Sequence, residues 1–203
     1  CMINWQDCKM DKNINYLGCV KLPFKKILTL IKKKSTRVEH SFDTEKPNYH
    51  RNRNKKQLAF SKKIVELYHP NKNIAYFYRY TNEKLVDLLP KNFWSKFNMD
   101  KERCRVEILH HPPGTVSIPH IDRYHTMMKD LKLLNDKKKR KQVRRLWISL
   151  TDPKLGHALF VGNEVAYNLE RGTILTFDKD IPHSGCNVGY EDRYVLTVTG
   201  FYG

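Results

Sequence analysis

Two histidine stretches share an Ile-Pro lead, "IPHID" at 118–122 and "IPHSG" at 181–185. The first places a carboxylate, Asp122, two residues after His120, and the second supplies His183. If "TVSIPHID" runs as a strand, residues two apart share a face, so His120 and Asp122 point together and Ile121 points away. Two imidazoles and one carboxylate on one side of a metal leave three positions open. Non-haem Fe(II) oxygenases need those positions for a cosubstrate and O₂. An HxD pair alone arises by chance, so its surroundings carry the weight. Arg193 follows His183 by ten residues, inside "EDRYVLTVTGF". A guanidinium in an apolar β-run is costly unless an anion pairs with it, and it can grip a carboxylate through two parallel hydrogen bonds.

Short β-rich runs must position these groups. From Arg103 onward they follow one another: "RCRVEILHH", "TVSIPHID", "RRLWISLT", "HALFVG", "VAYNL", "TILTFD" and "RYVLTVTGFY". Turn signals such as "PPG", "DPKLG", "GNE" and "ERG" separate them, which predicts a sandwich or barrel. Before this core, residues 1–102 read as flanking structure packed on it. A strand is expected at 14–22 and a helix at 23–34, with Phe24, Ile27, Leu28 and Ile31 on one stripe. A polar loop follows near 35–58, then a strand at 74–81 and a helix at 82–97 broken near Pro90. The core carries a basic insertion at 126–143; residues 129–145 hold nine basic and two acidic side chains. Met127, Met128, Leu131 and Leu134 can form one helical face ahead of the lysine run. The insertion reads either as a solvated, mobile segment or as a basic lid beside His120.

With His120, Asp122, His183 and Arg193 in place among these runs, residues 103–203 resemble the core of the Fe(II)- and 2-oxoglutarate-dependent dioxygenases. That family uses HxD…H with an Arg about ten residues on. The order "RLWISL", then "GHALFVGNEVAYNLERGTILTFDKDIPHSGCNVGYEDRYVLTV", is most similar to its aspartyl/asparaginyl β-hydroxylase-like branch and free-proline-hydroxylase relatives. The resemblance implies a mainly β protein with flanking helices and a double-stranded β-helix (jelly-roll, cupin-like) core. It implies Fe(II) on His120, Asp122 and His183, 2-oxoglutarate chelating the metal with its far carboxylate on Arg193, and O₂ as the oxidant. Arg145 matches an inward Arg of that branch and would assist the cosubstrate or touch substrate. Trp147 stands where the branch has a His beside the cosubstrate. Asp122 is kept as in the proline-hydroxylase relatives, whereas the animal aspartyl/asparaginyl hydroxylases lack that carboxylate.

The implied activity is hydroxylation of an amino acid, free or within a peptide or protein. Two alternatives stand beside it: an oxygenase acting on nucleic acid or a nucleoprotein, and a non-catalytic basic jelly-roll that binds such partners. A cupin with another metal and no cosubstrate would leave Arg193 unexplained. Lys plus Arg outnumber Asp plus Glu by 38 to 21, a formal net charge of +17. That balance suits an acidic partner or nucleic acid, or only a soluble surface. Candidates for substrate contact are His125, Asn187, Lys137 and Lys138. His110 and His111 precede "PPGTV" and read as lining the mouth or, as a pair before a turn, as exposed or hydrogen-bonded structure, and His157 as a satisfied histidine or a cosubstrate neighbour. The odd set Cys1, Cys8, Cys19, Cys104 and Cys186, with no CxxC pair, argues against a disulfide framework. With no secretion-signal order in "CMINWQDCKMDK" and no apolar run of spanning length, the expectation is a cytoplasmic protein with no membrane contact.

Overall fold

A computed structural model describes residues 12–34, 36–41, 75–117 and 119–202. Eleven strands are present among them: β1 (Asn15–Cys19), β2 (Thr36–Ser41), β3 (Ala75–Thr81), β4 (Met99–His111), β5 (Thr115–Val116), β6 (Val143–Ser149), β7 (His157–Val161), β8 (Glu164–Tyr167), β9 (Thr173–Thr176), β10 (His183–Asn187) and β11 (Arg193–Tyr202). They form a seven-stranded sheet ordered β1-β9-β6-β11-β4-β3-β2 and a four-stranded sheet ordered β5-β10-β7-β8. Followed along the chain, β4 lies in the large sheet, β5 in the small one and β6 in the large one. Then β7 and β8 lie in the small sheet, β9 in the large, β10 in the small and β11 in the large. All named pairings are antiparallel. Eight strands coiling between two facing sheets in this order are a double-stranded β-helix, so the fold is a mainly β jelly-roll.

Alternation along the central strands decides what faces inward. On β6, Leu146 and Ile148 join the core on the outer face of the large sheet, with Leu196 and Val198 of β11. Helix α1 (Phe24–Lys34) covers that face with Ile27 and Ile31 fully buried, as its apolar stripe requires. The offset residues Trp147 of β6 and Val195 of β11 turn into the barrel and meet Leu159, Val161 and Ala166 of the small sheet. Two cores therefore share the same strands, one on each side.

Several expectations change. Part of the polar segment expected as a loop near 35–58 is strand β2, because β3 supplies a partner from Thr36↔Thr81 through Ser41↔Ala75. The rest of that segment lies outside the described residues. The helix expected at 82–97 is two short pieces separated at Pro90. The first is a 3₁₀ segment, Glu83–Leu88, capped by the Asn82 side chain accepting from Lys84 N–H, and the second is α2 (Phe93–Lys96). "TVSIPHID" is not a continuous strand: after Val116, only His120 pairs, in an isolated bridge to His183. The basic insertion folds as α3 (His125–Asp130) and α4 (Lys137–Lys141). Met127 and Met128 pack with Tyr124, Val143 and Phe201, and Leu131 and Leu134 flank that cluster. Among the described residues no helix is long and apolar enough to cross a membrane.

Candidate metal centre

His120 and His183 are fixed by reciprocal backbone hydrogen bonds, His120 N–H to His183 C=O at 3.0 Å and the reverse at 2.9 Å. Their rings lie 4.4 Å apart between centroids. Asp122 N–H donates to the Lys179 carbonyl at 3.1 Å, which turns the HxD segment over the end of the small sheet. The face-sharing expected from a strand is thus reached by a bridge and a loop instead. One ligand atom from each of His120, Asp122 and His183 lies within 4.8 Å of the others. His120 is exposed and His183 is buried, so the cluster sits at the barrel mouth.

His183 has the tautomer a metal ligand needs. Its Nδ1 lies 3.1 Å from the Ile181 carbonyl, an acceptor, so Nδ1 carries the proton and Nε2 keeps the lone pair. Nε2 is buried without a hydrogen-bond partner and lies 3.7 Å from Asp122 Oδ2. Burial, reinforced by the neighbouring His120 ring, pushes the imidazole down to about 4, so it is neutral at physiological pH. A two-imidazole, one-carboxylate set with an orphaned lone pair fits a divalent transition metal such as Fe(II).

Arg145 is held by an ion pair. It faces the barrel as alternation requires, its Nη1 donates to both Asp122 oxygens at 2.8 Å each, and its Nε donates to Thr199 Oγ1 at 2.8 Å. Burial alone would lower this guanidinium; Asp122, then Tyr124 and Glu107, outweigh that and hold it above its ordinary value. Arg145 thus orients the Asp122 carboxylate through an ion pair. A carboxylate offers about four lone-pair positions, so Asp122 can hold both Arg145 and a metal. Tyr124 lies under the same guanidinium, 5.1 Å from ring centroid to Cζ, in the left-handed region at φ 48°. Its type and spacing give no sign of this role, which depends on the turn into α3.

Arg193 lies deeper. It pairs in register with His111 across β11 and β4, and both side chains are buried. Among the described residues Arg193 has no acidic partner, and its Nη1 is buried without a hydrogen bond. Burial pulls it down to about 10, and the same cause, with Arg193 beside it, drives His111 well below its ordinary value. Gly185, two residues after His183, makes the space: a Cβ there would lie 3.1 Å from Arg193 Nη1 and 3.2 Å from the His111 ring. A narrow cavity lined by Ser149, His157, Ala166 and Arg193 opens beside it. Trp147 completes the interior, 5.9 Å edge-on from His183, with Nε1 also unpartnered. His111 is neither exposed nor hydrogen-bonded at Nδ1, because as the last residue of β4 it pairs with Arg193 and faces the barrel interior against Gly185.

The remaining candidates fall elsewhere. Asn187 is buried, and its amide donates to the His111 and Glu191 carbonyls while its oxygen accepts from Gly189 N–H, so it builds the turn into β11. His157 bonds the Glu191 carbonyl at 3.0 Å. His125 opens α3 and stands outside the three-residue cluster. Lys137 and Lys138 are exposed on α4, away from the barrel interior. A wide cleft of about 850 Å³ lies between the 3₁₀ segment, β4 and α3. Its charges are largely paired, Arg105 with Asp130 at 3.3 Å and Lys101 with Asp87 at 3.4 Å.

No protein-family model matches the sequence, and no curated protein is similar to it. Among solved structures, the chain is similar to Rru_A2000 from Rhodospirillum rubrum, a cupin-2 domain, at 13% identity and TM-score 0.37, over 62% of this chain and 60% of that one. It is also similar to a predicted oxalate decarboxylase from Thermotoga maritima at 12% identity and TM-score 0.36, over 62% of this chain and 80% of that one. A third is the Schizosaccharomyces pombe Cnp3 cupin domain, at 9% identity and TM-score 0.34, over 48% of this chain and 56% of that one. Likenesses of this size assign no activity; the jelly-roll follows from the strand order itself.

Proposed function

We propose that the chain is an Fe(II)- and 2-oxoglutarate-dependent oxygenase that hydroxylates an amino acid, free or within a peptide. One observation carries this reading. Among the described residues, the buried side-chain atoms left unpartnered in the barrel include a lone pair at His183 Nε2 and N–H donors at Arg193 Nη1 and Trp147 Nε1, with His111 Nδ1 beside Arg193. The first wants a cation and the others want acceptor oxygens. A metal chelated by a dicarboxylate satisfies both, with one carboxylate near His183 and the other at Arg193. His183 and Gly185 are two residues apart on one face of β10, so the two ends are separated by roughly 7 Å of strand.

His120, Asp122 and His183 would hold the iron, with Arg145 orienting Asp122 and the Ile181 carbonyl orienting His183. When bound with 2-oxoglutarate and O₂, the iron supplies hydroxylation, with succinate and CO₂ as co-products. Arg193 would anchor the far carboxylate, and the apolar wall of Trp147, Phe177 and Val195 would keep water from the reacting centre. The amino-acid substrate class rests on the sequence resemblance alone. The test is succinate release in the presence of Fe(II), 2-oxoglutarate and ascorbate, screened over free amino acids and peptides. Stimulation by one class is the expected result; no succinate above a chelator control, with or without candidates, would overturn the oxygenase reading.

A further inference from the structure

The basic run is an ordered surface rather than a mobile arm. Asp136 caps α4 by accepting from Lys139 N–H at 2.8 Å, and Arg140 Nη2 donates back to the Leu134 carbonyl at 2.6 Å. Residues 137–144 hold six cations in eight residues: Lys137, Lys138, Lys139, Arg140, Lys141 and Arg144. Among the described residues none of the six is in an ion pair, although the cations around them are paired: Arg105 with Asp130 and Glu107, Arg103 with Asp100, Arg145 with Asp122. The stretch itself holds no acid, and Asp136, just before it, is engaged in capping. Unpaired cations concentrated on one edge create a field that a polyanion relieves.

A second feature narrows the polyanion. The Arg144 guanidinium sits over the Tyr202 ring, 3.8 Å from Cζ to the ring centroid, and Tyr202 is 38% exposed. Tyr202 N–H donates to the Gln142 carbonyl at 3.1 Å, which fixes this planar pair against the end of α4. Stacked guanidinium and phenol groups beside a row of lysines offer a π-face and phosphate contacts together, the combination that binds unpaired nucleotides. An acidic peptide would use the lysines but has no use for the platform. A helix of five residues, about 7.5 Å long, is too short to fill a duplex groove.

We propose that α4, Arg144 and Tyr202 form a docking edge for single-stranded nucleic acid. The edge adjoins the metal centre in sequence and space: Arg144 and Arg145 are neighbours on opposite faces of β6, one on Tyr202 and the other on Asp122. A strand docked there would lie beside the barrel mouth. The docking claim does not depend on the oxygenase reading.

The test uses the full chain in EDTA without cosubstrate, so that metal chemistry plays no part, and follows the anisotropy of a fluorescein-labelled 20-mer oligo-dT. Contacts to four to six phosphates predict a weakening of roughly a hundredfold between 50 and 200 mM salt. Lys137→Glu/Lys138→Glu/Lys141→Glu should weaken binding at least about tenfold at low salt and flatten the salt dependence. Tyr202→Leu should weaken it roughly tenfold with the salt slope unchanged, and Tyr202→Trp should restore it. Oligo-dT binding that is unaffected by the triple substitution would overturn the proposal. So would equal competition by poly-glutamate, or tighter binding of a duplex of the same length.

Discussion

Arg145 and Asp122 form a closed pair at the barrel mouth, one guanidinium nitrogen 2.8 Å from both carboxylate oxygens. Both groups are largely withdrawn from water, at 18% and 10% side-chain exposure. The pair holds the Asp122 carboxylate in one orientation and compensates its charge. Removing one member of such a pair leaves the other buried and uncompensated, which costs about 3–5 kcal/mol. Arg145→Met should therefore lower unfolding stability by about that amount in chelator. Divalent metal should then add back more stability than it adds to the wild type, because the ion replaces the lost cation. Urea denaturation with and without metal measures both; an unchanged midpoint in chelator would show the pair to be inert.

Arg193 predicts the opposite sign. Among the described residues it is buried without an anion, so its charge opposes folding. Arg193→Met should leave the melting temperature unchanged or raised, while 2-oxoglutarate binding, measured by calorimetry on the metal-loaded protein, weakens roughly 10- to 100-fold. A strongly destabilised variant would mean that Arg193 has a structural partner instead.

Gly185 is the spacer between the two halves of the site. Gly185→Ala would place a methyl 3.1 Å from Arg193 Nη1 and 3.2 Å from His111. The guanidinium must then shift, so 2-oxoglutarate affinity should fall about tenfold by the same charge-assisted contacts. Metal affinity should hold, since the His120–His183 backbone bridge is untouched. Parallel metal and 2-oxoglutarate titrations separate the two; equal losses in both would contradict this division of roles.

Acid should destabilise the chain through His111. Burial and the Arg193 charge hold its folded pKa well below the ordinary 6.5, so the unfolded state binds the proton first. Stability from this group is complete above about pH 6.5 and is lost progressively as pH falls below that. His111→Gln should flatten the decline between pH 6.5 and 5 in chelator-treated protein. A stability profile identical to the wild type over that range would show that His111 does not titrate on unfolding.

Much of the site was readable from residue types and order. The period-two alternation of "RRLWISL" put Arg145 and Trp147 on one face, the resemblance turned that face inward, and the short β-runs marked the jelly-roll strands within a few residues. The limits have physical causes. β2 hides in a polar segment because an edge strand needs only a partner for its backbone, here β3, and not an apolar face. His120 and Asp122 converge through a bridge to His183 and a bond to Lys179, contacts about sixty residues apart that no local spacing reveals. The pairing of Arg145 with Asp122 and the burial of His111 against Arg193 depend on cross-strand register. Asn187 read as a possible substrate contact because a buried amide closing a turn has the same local sequence as one facing a ligand.

The central claim is that His120, Asp122, His183 and Arg193 hold Fe(II) and 2-oxoglutarate together. The most direct measurement is the anaerobic visible spectrum of metal-free protein during addition of Fe(II) and then 2-oxoglutarate, with Asp122→Ala and Arg193→Ala alongside. A charge-transfer band that needs both additions and weakens in each variant is the predicted result. No band in well-folded wild-type protein would contradict the account.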